Sequence, residues 1–121
     1  MTTVRVQSAL LALAIACAVP ACGGDALSES RALFARGHYP AAKQALLAID
    51  PRELAGDVQE RAQYALYRAL THGALGDLAA RDRWLDEAAS IASACPDALD
   101  EQDQARLRIA RDQQAWDTLR R

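Results

Sequence analysis

The sequence predicts an all-α fold, two helical hairpins closed by a C-terminal capping helix, and three observations carry that expectation. Apolar residues make up 51% of the 121, but they are mainly Ala and Leu, with one Phe, two Trp and three Tyr, a mixture that favours helices. After Val19 the apolar β-branched residues are Ile49, Val58, Ile91 and Ile109, too few for a substantial sheet. From Ala26 onward the apolar positions recur at three- and four-residue spacing, broken at Gly and Pro, which is the period of one helix face.

The N-terminal segment is of another kind. Met1 to Ser8 is polar and carries Arg5, and Ala9 to Val19 is an apolar run, shorter than the roughly 20 residues a spanning helix needs and suited to a signal h-region. Val19-Pro20-Ala21-Cys22-Gly23-Gly24-Asp25 follows. This order of an aliphatic residue, a variable one, a small one and Cys resembles the lipobox of bacterial lipoproteins. The residue types suit the chemistry, because a thiolate is the nucleophile that takes an acyl-glyceryl group and a small residue before it admits a peptidase. The resemblance implies that residues 1–21 are a lipoprotein signal peptide, that Cys22 is lipidated and that 22–25 form a flexible tether. Residues 26–121 then form the helical domain. It also implies a place in the bacterial cell envelope, facing the periplasm, since an anchor of two or three chains exceeds what stable membrane attachment requires. The competing reading is ordinary cleavage after Ala14-Ile15-Ala16, which leaves Cys17, Cys22 and Cys95 in an oxidising compartment where one pair can form a disulfide. With a lipidated Cys22, Cys95 is left alone as a small packing residue.

Removing 21 of the 121 residues leaves about 100, the size of one domain. Such a domain buries roughly 65% of the surface its unfolded chain exposes, so it holds one core with little stability to spare. Without Arg5 there remain 13 basic residues against 16 acidic ones, a net charge of −3. The basic residues are Arg apart from Lys43, and they alternate with acids instead of forming a stripe, which argues against a nucleic-acid partner.

Each helix has its own signals. Ala26, Leu27, Ser30, Leu33 and Phe34 form the first face, with Asp25 as N-cap and Gly37 as the stop. Pro40 suits the first turn of a second helix carrying Ala42, Ala45, Leu46 and Ile49 and ending at Asp50-Pro51. Pro51 to Gly56 is a connector with room for one capped helical turn. Asp57 with Glu60 signals the start of a long helix to about Ala74. Its two stripes, Ala62, Ala65, Leu66, Ala69 and Tyr64, Tyr67, Thr71, imply neighbours on two sides. Gly73, Gly76 and Asp77 interrupt the pattern. It resumes from Leu78 to Ser93 through Leu78, Leu85, Ala88, Ala89 and Ala92. After Cys95-Pro96-Asp97, a last amphipathic helix from Gln102 to Leu119 is expected to pack through Ala105, Ile109, Trp116 and Leu119.

The two hairpins echo each other. Gly37-His38-Tyr39-Pro40-Ala41-Ala42 and Gly76-Asp77-Leu78-Ala79-Ala80-Arg81 are followed by Leu46 and Leu85 at matching places. Gly37, Tyr39, Ala42 and Leu46 resemble the tetratricopeptide repeat, over roughly 70 residues. Two departures stand out. Arg81 occupies the place of the small residue, which implies wider packing or a register shifted to bring Ala80 inward. The Gly37 to Gly76 interval of 39 residues exceeds the family's period of about 34, and the connector absorbs the surplus. The resemblance implies a protein- or peptide-binding groove lined by the first helix of each hairpin, which here means Leu27, Arg31 and Phe34 with Gln63, Leu66 and Leu70. The same positions equally suit a core. The Lys and Asn that clamp a C-terminal carboxylate in chaperone-binding members are absent from them.

No catalytic constellation, nucleotide loop or metal spacing is present in the sequence, so neither an enzyme nor a cofactor is expected. His38 and His72 have no second ligand at metal spacing. The acids Asp86-Glu87, Asp100-Glu101 and Asp103 read as caps and solvated faces. The function expected is that of a membrane-tethered adaptor binding an envelope or secretion protein. The alternative is a periplasmic small-molecule or metal-binding protein with a pocket near Tyr67, His72 and Trp84.

Overall fold

The computed structural model describes residues 23–121, and the segment 1–21 read as a signal peptide and Cys22 lie outside them. Five α-helices and two short 3-10 turns make up the described chain, without a strand among the described residues: α1 (Gly23–Ala35), α2 (Tyr39–Leu47), α3 (Val58–Ala74), α4 (Leu78–Ala94) and α5 (Glu101–Leu119). The 3-10 turns are Pro51–Leu54 and Pro96–Ala98.

α1 starts earlier than the sequence suggests. It takes in Gly23 and Gly24, and Asp25 sits in its first turn instead of capping it, where its charge complements the positive end of the helix dipole. Leu27 and Ser30 turn inward, and the Ser30 hydroxyl donates back to the Ala26 carbonyl at 2.8 Å.

The turns after α1 and α3 are the same turn. Gly37 and Gly76 both have positive φ, 79° and 86°, a conformation that a side chain strains. The amide of His38 donates to the Leu33 carbonyl at 2.9 Å, and the amide of Asp77, 39 residues on, donates to the His72 carbonyl at 2.9 Å. These bonds close orphan carbonyls at the helix ends. α2 then starts with Pro40 in its first turn, whose fixed φ suits that place.

Carboxylate caps set the remaining starts. Asp50 accepts from the Arg52 amide and opens the first 3-10 turn, whose Leu54 plugs the core. Asp57 accepts from the amides of Gln59 and Glu60, Asp77 from that of Ala80 and Asp100 from that of Asp103. Each satisfies one or two of the donors a helix start leaves free.

α3 is the central element and packs on all four other helices and both 3-10 turns. Its two stripes are buried as expected. From α4, Leu85, Ala88 and Ile91 complete this core, joined by Ala98 and Leu99 of the second 3-10 turn. Leu78, expected on the α4 stripe, is instead exposed.

Arg81 settles the register of α4. It points inward and is buried, so the helix is not shifted to bring Ala80 in. Room for it comes from Gly73 on α3, where a Cβ would lie 3.0 Å from Arg81 Cδ.

α5 overturns the expected packing face. Asp103 and Leu107 are its buried residues, while Ile109, Trp116 and Leu119 are 70%, 60% and 79% exposed. Leu107 and Ala110 meet the core, and charged side chains do the rest. Arg81 Nη1 holds Asp117 at 2.7 Å, Arg111 holds Asp86 at 2.7 Å and Arg121 reaches Asp82 at 3.4 Å. With three acid-base pairs and Leu107 on one side, the helix is fixed in the rotation that leaves its largest apolar side chains outward.

Candidate functional site

α1 and α5 flank α3, and their facing residues build a cluster of aromatic rings and guanidinium groups. Tyr67 of α3 sits at its centre and is buried. Its hydroxyl donates to Asp103 Oδ1 of α5 at 2.8 Å and accepts from Arg106 Nη1 at 3.1 Å. Phe34 of α1 meets the Tyr67 ring edge to face at 5.6 Å and the Tyr39 ring at 5.2 Å. The Arg31 guanidinium lies 5.4 Å from the Tyr67 ring centre. That of Arg106 lies 5.9 Å from the Phe34 centre, within the range of a cation–π attraction.

Asp103, expected on a solvated face, is fully buried. Two cations offset its desolvation, which an unpaired charge could not survive. Arg106 acts through the shared Tyr67 hydroxyl, and Arg31 Nη2 stands 3.5 Å from Asp103 Oδ2. That last contact is an ion pair and not a hydrogen bond, because Asp103 Oδ2 and Arg31 Nε are both buried without a hydrogen-bond partner. Burial, the largest influence on Tyr67, pushes its hydroxyl pKa above the ordinary value of 10.0, and the bond to Asp103 adds to the rise. Tyr67 is therefore a fixed proton donor at neutral pH. Burial works against the charged form of Arg31, but Tyr67 and Asp103 outweigh it and leave that group still more basic.

The six residues expected to line a groove divide. Arg31, Phe34, Gln63 and Leu70 are half-buried at the surface of α1 and α3. Leu27 and Leu66 are 2% and 0% exposed and belong to the core, because each lies on the inner edge of its helix's arc. Arg106 and Asp103 were not anticipated. The only sequence signal for them was the four-residue step from Asp103 to Leu107, which puts both on the face that packs.

Of Tyr67, His72 and Trp84, the residues expected around a pocket, Trp84 lines a cleft. This half-open cleft of about 610 Å³ lies between the first 3-10 turn, α3 and α4, and Tyr64 lines it as well, whereas Tyr67 and His72 do not. His72 Nε2 accepts from Arg68 Nε at 3.2 Å. Among the described residues, no three His, Cys, Asp or Glu side chains come together as a metal site, and no helix is long and apolar enough to cross a membrane. Cys95 is half-buried with a free thiol. No protein family, curated protein or solved structure matches the chain.

Proposed function

We propose that this protein is a lipid-anchored adaptor of the bacterial cell envelope, which holds a partner protein or peptide on the surface formed by α1, α3 and the start of α5. The observation that carries the reading is Phe34, a half-buried phenyl ring with the Arg106 guanidinium on it and its edge-to-face partner Tyr67 covered by Arg31. Aromatic anchors beside Arg are what protein interfaces concentrate. Gln63 and Leu70, half-buried on the neighbouring helix, extend the surface. The repeated glycine turn, with the same hydrogen bond 39 residues apart, supports a tetratricopeptide-like arrangement in which this surface is the groove. The lipobox-like Val19-Pro20-Ala21-Cys22 stands immediately before α1, so an acyl group on Cys22 would hold the first helix at the bilayer.

Two measurements test this. Mass spectrometry of the mature protein is expected to show an acylated N-terminal Cys22, and Cys22→Ser is expected to leave the membrane fraction. A photo-reactive phenylalanine at position 34, in cells of the source organism, is expected to cross-link one partner that Arg31→Glu no longer captures. An unacylated mature chain, or cross-links no different from those of the probe at exposed Glu29, would overturn the reading.

A further inference from the structure

The cleft between the first 3-10 turn, α3 and α4 lies apart from the Phe34 surface, and its chemistry is specific. Its floor is Leu54, Ala65 and Ile91, all in the apolar core. One wall is aromatic: Tyr64 and Trp84 meet edge to face at 5.5 Å. That wall is braced, because Arg68 stacks 4.6 Å from the Trp84 ring centre and donates to the Tyr64 hydroxyl at 2.8 Å. At about 610 Å³ the cleft falls within the roughly 300–1,000 Å³ of small-molecule sites.

The rim is cationic. Arg61 and Arg83 line the cleft with Glu87 as the single acid, and no carboxylate of the described residues lies within 4.0 Å of Arg61, Arg68 or Arg83. Arg31, Arg52, Arg81, Arg111 and Arg121 have acid partners, and Arg36, Arg106, Arg108 and Arg120, which have none among the described residues, do not line this cleft. In a chain whose net charge is −2, this concentration of unneutralised guanidinium groups over an apolar floor is complementary to one ligand chemistry.

We propose that this cleft binds a small amphipathic anion, its apolar body laid against Tyr64 and Trp84 and its carboxylate or sulfonate held by Arg61 and Arg83. Glu87, one helical turn from Arg83 on α4, disfavours a second negative charge on the ligand. The site does not depend on the partner-binding reading, since it shares no residue with the Phe34 surface.

The test uses the exported chain carrying Trp116→Phe, which leaves Trp84 as its single Trp. The probes are the anion anilinonaphthalene sulfonate and its uncharged relative N-phenylnaphthylamine. Saturable quenching of Trp84 by the anion is expected, at one dye per chain. Reversal of both rim charges, Arg61→Glu with Arg83→Glu, should weaken the anion by at least about tenfold while changing the uncharged dye by less than about twofold. Arg61 and Arg83 are exposed, and circular dichroism checks that the variant stays folded. If charge reversal unfolds the protein, the Arg61→Gln, Arg83→Gln pair is held to the same criterion. Unsaturable quenching, equal weakening of both dyes, or loss of binding on Phe34→Glu would overturn the proposal.

Discussion

Arg81 Nη1 lies 2.7 Å from Asp117 Oδ2, and this pair ties α4 to α5 across a separation of 36 residues. The guanidinium also holds Asp82 Oδ1 through Nε and Nη2, so the Arg81 stem has no freedom to swing away from Gly73. A methyl group at Gly73 would lie 3.0 Å from Cδ and 3.4 Å from Cγ of that stem. Gly73→Ala is therefore expected to destabilise the parent protein, although Ala in a helix ordinarily gains roughly 0.5–1 kcal/mol over Gly. With Arg81→Ala in the background the clash disappears and the same substitution should stabilise. A double-mutant cycle in urea checks the change of sign, and identical effects in both backgrounds would refute it.

Tyr67→Phe tests the buried cluster. It removes the donor to Asp103 Oδ1, and Asp103 Oδ2 already lacks a hydrogen bond, so a carboxylate with 0% exposure is left with the Arg31 ion pair alone. The expected cost is about 1–3 kcal/mol, the usual penalty of an unsatisfied buried acceptor. Arg106 loses its acceptor in the same change. The double variant Tyr67→Phe with Asp103→Asn should cost less than the two single changes together, because the second removes the charge that the first strands. Strict additivity in equilibrium unfolding would show that the two groups are not coupled.

The orientation of α5 makes a third prediction. Ile109→Gln and Trp116→Gln change exposed side chains and should shift stability by no more than about 0.5 kcal/mol. Leu107→Ala, which opens space beside the core, should cost about 2–3 kcal/mol. Reversed magnitudes would mean that α5 packs through the Ile109 and Trp116 face after all.

Much of the fold was legible because the signals were local. Gly37 and Gly76 are needed where the backbone turns left-handed, and Asp50 and Asp57 cap where free amides begin. α5 was not legible, because apolar residues occupy both of its sides: Leu107 and Ala110 on one, Ile109, Trp116 and Leu119 on the other. Side-chain size pointed to the second set, while ion pairs with Asp82, Asp86 and Arg81 on α4 selected the first, and pairings between distant charges leave no periodic trace. The same limit hid Asp103 and Arg106. Of the six residues the repeat resemblance put on a groove or in a core, Arg31, Phe34, Gln63 and Leu70 are half-buried and Leu27 and Leu66 are core, because the spacing gives a helix's arc but not which edge of it is covered.

His72 makes the last prediction, on pH. Its side chain is buried, with Nδ1 lacking a hydrogen bond and Asp77 Oδ2 4.0 Å away. Burial depresses its pKa below the ordinary 6.5, Arg68 adds to the depression, Asp77 opposes it, and Lys43 and Arg83 lower it further. As acid is added the unfolded chain therefore takes up this proton before the folded one does. His72 thus contributes stability that is fully present above the unfolded value and is lost as pH falls through that value toward the folded one. Between about pH 7.5 and 5.5, a window above the titration of ordinary carboxylates, the melting temperature of the parent should fall. His72→Gln keeps an acceptor for Arg68 but has no proton to gain, so its melting temperature should fall less over the same window. Equal decreases in the two proteins would mean that the folded state accommodates a charged imidazole, against the positive surroundings of this side chain.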